Sequence, residues 1–314
     1  MTDNDHTHDG NPTHSGNHTH GHTHTHTHGH THTHGHTPDP DFDWAAMADL
    51  LELEGETHRP YVQQALAELT HLTPPRRILD IGSGPGVAAC QLAATFPQAE
   101  VTAVDGAPEL LARAGERAGR LGVRLRTQQA DFPAGLAGLG PADLVWSGQA
   151  LHHVGDQQGV VKQLAGLLEP GGVLAVVEGG LPARWLPRDL GFGRPGLQER
   201  LDAAQADRFS RMRAELPGSV AVVEDWPGML RAAGLTDARS RTFLVDHPAP
   251  LADGPRQFAR QALERSRQTL AEMLNAEDRS TLDRLLDPAD PAGIDRRTAL
   301  FLLTAKTVHF GTAA

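Results

Sequence analysis

The sequence predicts an α/β fold: a doubly wound parallel sheet with a helical lead-in and helical insertions. Three observations carry that expectation. Short apolar runs of strand length alternate with helix-length segments from Arg76 to Glu178. A glycine-rich loop, Gly82 to Gly86, joins the first run to the first of those helices. Acids stand at or near the ends of successive runs, at Asp80, Asp105 and Asp131.

Residues 1–40 stand apart, holding thirteen of the 19 histidines and no Leu, Val, Ile or aromatic residue. Ordering a backbone costs about 1–2 kcal/mol per residue, and nothing apolar here offsets it, so this segment reads as a disordered tail. Residues 41–75 form the lead-in. Trp44, Met47, Leu50, Leu51, Val62, Leu66 and Leu69 recur at helical spacing, with Gly55 and Pro60 dividing them into two helices.

Arg77 to Ile81 is a buried strand, and Val87 to Phe96 the helix after the glycine loop. A strand at Glu100–Val104, a helix at Pro108–Leu121 and strands at Val123–Gln129 and Asp143–Trp146 follow. Next come a helix at Gln157–Leu168, the turn Pro170-Gly171-Gly172 and a strand at Val173–Val177. Right-handed crossovers then bring the strand C-termini to one edge. Beyond Glu178 the rhythm breaks into a helix over 197–216, a helix over 225–233, a strand over 238–245, a helical stretch over 256–286 and a last strand over 297–308. The main domain therefore runs from 76 to 314, with insertions near 182–216 and 246–296 suited to substrate selection.

Composition excludes several classes. No apolar run approaches a membrane span, and a formal charge of −11 disfavours a nucleic-acid surface. Cys90 is the single cysteine, which rules out an intramolecular disulfide. With no basic and apolar leader at the start of the sequence, a cytoplasmic location is expected. Composition carries no information on oligomeric state.

The loop Gly82-Ser83-Gly84-Pro85-Gly86 lets a ligand approach the backbone, and the helix N-terminus after it favours an anionic group. Asp105, about 20 residues past the loop, is placed to accept ribose hydroxyls, or else to cap the helix that follows Gly106 and Ala107. Asp131 and Phe132 close the third strand, where a carboxylate and a ring suit an adenine base. Cys90 and Trp146 read as packing residues.

The motifs Ile78-Leu-Asp-Ile-Gly-Ser-Gly-Pro-Gly-Val87, Val104-Asp105, Asp131, Asp143-Leu-Val-Trp-Ser147, Ala150-Leu-His-His-Val154 and Leu168-Glu-Pro-Gly-Gly172 resemble class I S-adenosylmethionine-dependent methyltransferases in order and spacing. The resemblance implies a Rossmann-like, seven-stranded sheet whose last strand is antiparallel. It implies that Asp80, Gly82, Ser83, Gly84 and Gly86 hold the methionine end of S-adenosylmethionine, Asp105 with Gly106 the ribose, Asp131 and Phe132 the adenine, and Ser147 the cofactor's flank. The expected activity is methyl transfer to a small-molecule acceptor, at oxygen, nitrogen or carbon. His152 resembles the base of plant-type O-methyltransferases, although His153 and Val154 replace the Asp-Trp pair of that context.

Two alternatives belong to other classes. An NAD-dependent oxidoreductase shares the strand, glycine loop and acid, but its third glycine falls where Val87 stands, and Asp80 would repel a pyrophosphate. The second is a metal-handling or sensing protein that binds S-adenosylmethionine without turnover. It draws on the alternating His18, His20, His22, His24, His26, His28, His30, His32, His34 and His36, neutral imidazoles able to hold zinc or nickel without a part in catalysis.

Overall fold

The computed structural model describes residues 43–70 and 73–314. The histidine-rich segment 1–40 lies outside the described residues. The described residues form seven strands and eight α-helices: α1 Trp44–Leu69, β1 Arg77–Ile81, α2 Val87–Thr95, β2 Glu100–Asp105, α3 Pro108–Leu121, β3 Arg126–Gln129, β4 Ala142–Gly148, α4 Gln157–Ala165 and β5 Leu168–Arg184 come first. Then follow α5 Leu197–Glu215, α6 Trp226–Ala232, β6 Thr236–His247, α7 Asp253–Thr269, α8 Ala276–Leu286 and β7 Leu302–Thr312.

The sheet order is β3-β2-β1-β4-β5-β7-β6, parallel from β3 to β5, with β7 antiparallel to both β5 and β6. The order reverses between β1 and β4, and in doubly wound sheets the crevice outside the strand C-termini at that point is where ligands bind. Apolar residues of alternate parity fill the two faces. Ile78, Val101, Trp146, Val177 and Phe310 pack with Tyr61, Val62 and Leu66 of α1, whereas Leu79, Val104, Val145 and Val176 pack on the side of α4 and α6. The insertions build a third core, with Trp185, Leu201, Phe258, Leu282 and Leu285.

The lead-in is one helix of 26 residues where two are expected, with Pro60 inside it. A proline in a helix interior costs about 3 kcal/mol, but burying side chains such as Tyr61, Val62, Leu66 and Leu69 returns about 1.5–3 kcal/mol for each large one. Gly55 is no breaker either. A Cβ there would sit 2.7 Å from Val87 Cγ2, so the missing side chain lets α1 press against the start of α2. Ion pairs fasten the same helix to α3, with Glu52 meeting Arg113, Arg117 and Arg120.

Three further boundaries differ from expectation for local reasons. The third strand begins at Arg126 because Gly122, at φ 67°, ends α3 and Val123 N–H donates back to Ala118 O at 3.1 Å. The last strand begins at Leu302 rather than 297, since the preceding loop offers the Ile294 and Arg297 carbonyls to Arg256. β5 continues beyond Val177 because Gly179 and Gly180, both with positive φ, kink it and allow Gly180 to pair with Lys306 of β7.

Candidate active site

β1 ends in Asp80-Ile81 and the loop turns at once: Gly82 N–H and Ser83 N–H both donate to Val104 O, at 2.9 and 3.0 Å. Gly82, Gly84 and Gly86 all have positive φ. A Cβ on Gly84 would meet nothing within 4 Å, so its backbone faces open space above the sheet edge. A Cβ on Gly86 would lie 2.6 Å from Ala114 Cβ, so that glycine serves the packing of α3.

Asp80 is buried, at 2% exposure, and its Oδ2 has no hydrogen-bond partner. Burial, reinforced by the charge of Asp105, pushes its carboxyl up to about 7, against the opposing bond from Ala89 N–H. Ser83 Oγ is likewise buried without a partner. Asp105 accepts from Gly84 N–H at 2.8 Å and from Ala107 N–H at 3.0 Å, so it clamps the loop and braces the start of α3 together. Asp131 is exposed beside Gly106, where a Cβ would lie 3.6 Å from Asp131 Oδ1.

Two sequence-derived site residues sit deeper than the role expected of them. Phe132 is 4% exposed and packs with Leu136 and Leu139, so its ring is core and not an open platform for a base. Ser147 is fully buried, and its hydroxyl donates to Ile81 O at 3.0 Å, which joins β4 to β1 beneath the loop. Trp146 and Cys90 are buried as expected.

After β4 the chain makes a single 3-10 turn, Leu151–His153. Glu178, at the end of the buried run of β5, holds that turn: its Oε1 accepts from Leu151 N–H and His152 N–H at 2.8 and 3.2 Å. Its Oε2 lies 2.9 Å from His152 Nδ1. A carboxylate only accepts, so Nδ1 is the donor, and Nε2 is the ring nitrogen left to face the site. Arg213 of α5 donates to the His152 and Val154 carbonyls from the other side. Behind Glu178, His309 Nε2 donates to the Glu178 carbonyl at 3.1 Å, and burial pushes the His309 imidazole down.

Residues 78–172 match the methyltransferase domain family. Over 167 residues the chain is 34% identical to a trans-aconitate 2-methyltransferase of Rhodopseudomonas palustris strain BisB18, covering 52% of this chain and 62% of that one. Over 192 residues it is 34% identical to the protein of the same name from Methylobacterium nodulans, covering 59% of this chain and 71% of that relative. The chain belongs to the class I S-adenosylmethionine-dependent methyltransferases. It spans about three fifths of the length of the first curated relatives it matches, 62% and 60%. Among solved structures, the YcgJ protein of Bacillus subtilis superposes with a TM-score of 0.46 at 18% identity, over 81% of this chain and 99% of that one, a likeness too slight to bear on function.

The residues present fit the family's cofactor. The partnerless oxygen of Asp80 suits the ammonium of S-adenosylmethionine, the open backbone at Gly84 gives room for its methionine end, and the Asp105 carboxylate stands at the loop's edge. Among the described residues no cluster of three or more His, Cys, Asp or Glu side chains could hold a metal ion. No helix among them is long and apolar enough to cross a membrane.

Sequence reasoning missed Glu178 and Arg213. Glu178 was detectable, because it ends the buried run of β5 as Asp105 ends β2. Arg213 reaches the turn from α5, and no local motif marks it.

Proposed function

We propose that this protein transfers the methyl group of S-adenosylmethionine to a small-molecule acceptor, with His152 as the base and Glu178 as the group that positions it. The observation that carries the reading is the Glu178–His152 contact beside the glycine loop: one carboxylate fixes both the tautomer and the backbone of the turn that presents Nε2. When bound, the cofactor supplies a methyl carbon activated by positive sulfur, so no protein nucleophile is needed. The chain's own work is to align the acceptor and exclude water. His152 Nε2 would take the proton of a hydroxyl acceptor as that oxygen becomes the nucleophile, with Glu178 holding the ring.

Asp80, Gly82, Ser83, Gly84 and Gly86 hold the methionine end, Asp105 and Gly106 the ribose, and Asp131 the adenine side. The lead-in helix and the two insertions roof the acceptor. The single cysteine and acidic charge suit a reducing cytoplasm without nucleic-acid partners, and the tail histidines hold zinc or nickel outside the catalytic cycle.

The test is formation of S-adenosylhomocysteine across a panel of acceptors. His152→Ala should lower turnover about 100-fold or more while leaving cofactor affinity intact. Cofactor binding with no turnover on any acceptor would favour the sensing alternative.

A further inference from the structure

α1 places Glu54, His58 and Tyr61 on one face, at spacings of four and three. With Gly55, Val87 and Gln149 they line a cavity of about 70 Å³ between the helix and the loops after β1 and β4. Lys306 approaches from below. It shares strand parity with Val308 and Phe310, whose side chains pack on the α1 face of the sheet, and its neighbour across β6 is Phe243 of the same core.

Glu54 and Lys306 carry opposite charges, and each lies within electrostatic reach of the other and of His58. Yet neither side chain makes a hydrogen bond or ion pair with any described residue. Burial pushes the Lys306 ammonium down, and it pushes the His58 imidazole down to about 4, with the Lys306 charge acting in the same direction. His58 is therefore a neutral spacer whose Nδ1 is engaged by Glu54 O at 2.8 Å. Two half-buried charges left unpaired are unfavourable unless something completes both. The nearby cation Arg213 is engaged by carbonyls and cannot serve instead.

Resting on the acceptor site described above, we propose that Glu54 and Lys306 are its two recognition poles, and that the acceptor is amphoteric, with an acid group on Lys306 and an amine on Glu54. Each pole then gains an opposite charge, with the amine end seated in the cavity that Glu54 lines. A tricarboxylate such as the trans-aconitate in the relatives' names meets the carboxylates of Glu54 and Glu178 beside Lys306, and Arg213 is already engaged by carbonyls, so this chain selects a different acceptor class.

The test uses the full chain saturated with S-adenosylhomocysteine and four probes followed by saturation-transfer NMR: serine, 3-hydroxypropanoate (no amine), ethanolamine (no acid) and trans-aconitate. Serine should bind most tightly. Lys306→Met should weaken serine and 3-hydroxypropanoate about tenfold or more and leave ethanolamine unchanged, and Glu54→Gln should weaken serine and ethanolamine while sparing 3-hydroxypropanoate. S-adenosylhomocysteine affinity should stay within about twofold in both variants. Tighter binding of trans-aconitate than of serine, or equal responses of all probes to both substitutions, overturns the proposal while the methyltransferase reading stands. Failure of the unaltered chain to bind S-adenosylhomocysteine overturns both.

Discussion

Asp80→Asn separates what the buried acid costs the fold from what it gives the cofactor. The carboxyl is raised to about 7 from an ordinary 3.8, so the folded state resists ionisation that the unfolded chain accepts. The sign follows from linkage. Between about pH 4 and 7 the unfolded state sheds a proton that the folded state keeps, and stability is lost as pH rises through that window. Each pH unit is worth about 1.4 kcal/mol, so the full loss above pH 7 is about 4 kcal/mol. The amide never ionises, but its NH2 replaces an oxygen that has no partner, which costs about 1–3 kcal/mol at every pH. Asp80→Asn should therefore be less stable than the parent at pH 4 and more stable by about 1–3 kcal/mol at pH 8, with S-adenosylmethionine affinity lowered throughout. Denaturant melts at a series of pH values, paired with cofactor titrations, measure both quantities. A stability difference that is flat with pH would refute the assignment of a buried, neutral Asp80.

Asp105→Ala should weaken cofactor binding by about 1–3 kcal/mol and also lower the melting temperature, because the same carboxylate holds Gly84 and Ala107; calorimetry with a thermal melt reads both. Gly55→Ala should destabilise by about 1–3 kcal/mol through contact with Val87, and Val87→Ala in the same chain should restore little of that loss in a thermal melt, because the Val87 Cβ itself would lie 2.8 Å from the added Cβ. Glu178→Gln should depress turnover with little change in cofactor affinity and shift the pH–rate profile, as expected of a residue acting through His152. Deleting Met1 to Pro40 should preserve folding and methyl transfer and abolish most zinc or nickel binding in equilibrium dialysis.

Much of the fold was legible because its signals are local. The run from Ile78 to Val87 states a strand, a tight turn and a helix start in ten residues, and the βα alternation after it follows from apolar spacing alone. Misread boundaries trace to tertiary effects that propensity does not record: Pro60 is carried by the packing of α1, and Gly55 is a contact point with Val87. The donor side of the site was legible for the same local reason, since Asp80, the glycines and Asp105 lie within 26 residues of one another. Phe132 looked like a base platform because an aromatic after a strand end often is exposed; here Leu136 and Leu139 bury it. The acceptor side was not legible. Glu54 on α1 and Glu178 on β5 come within electrostatic reach of Lys306 only because α1 folds over the sheet and β7 returns antiparallel beside β5.

The central claim, that a buried neutral Asp80 receives the ammonium of the cofactor, is tested most directly by proton release on binding. Titrating S-adenosylhomocysteine into the protein in buffers of different ionisation enthalpy counts those protons. With Asp80 titrating at about 7, binding at pH 7 should release about half a proton per site, more towards pH 6 and almost none at pH 8.5, and Asp80→Asn should release none. Binding without pH-dependent proton release in the parent chain, or the same release from Asp80→Asn, would contradict the account.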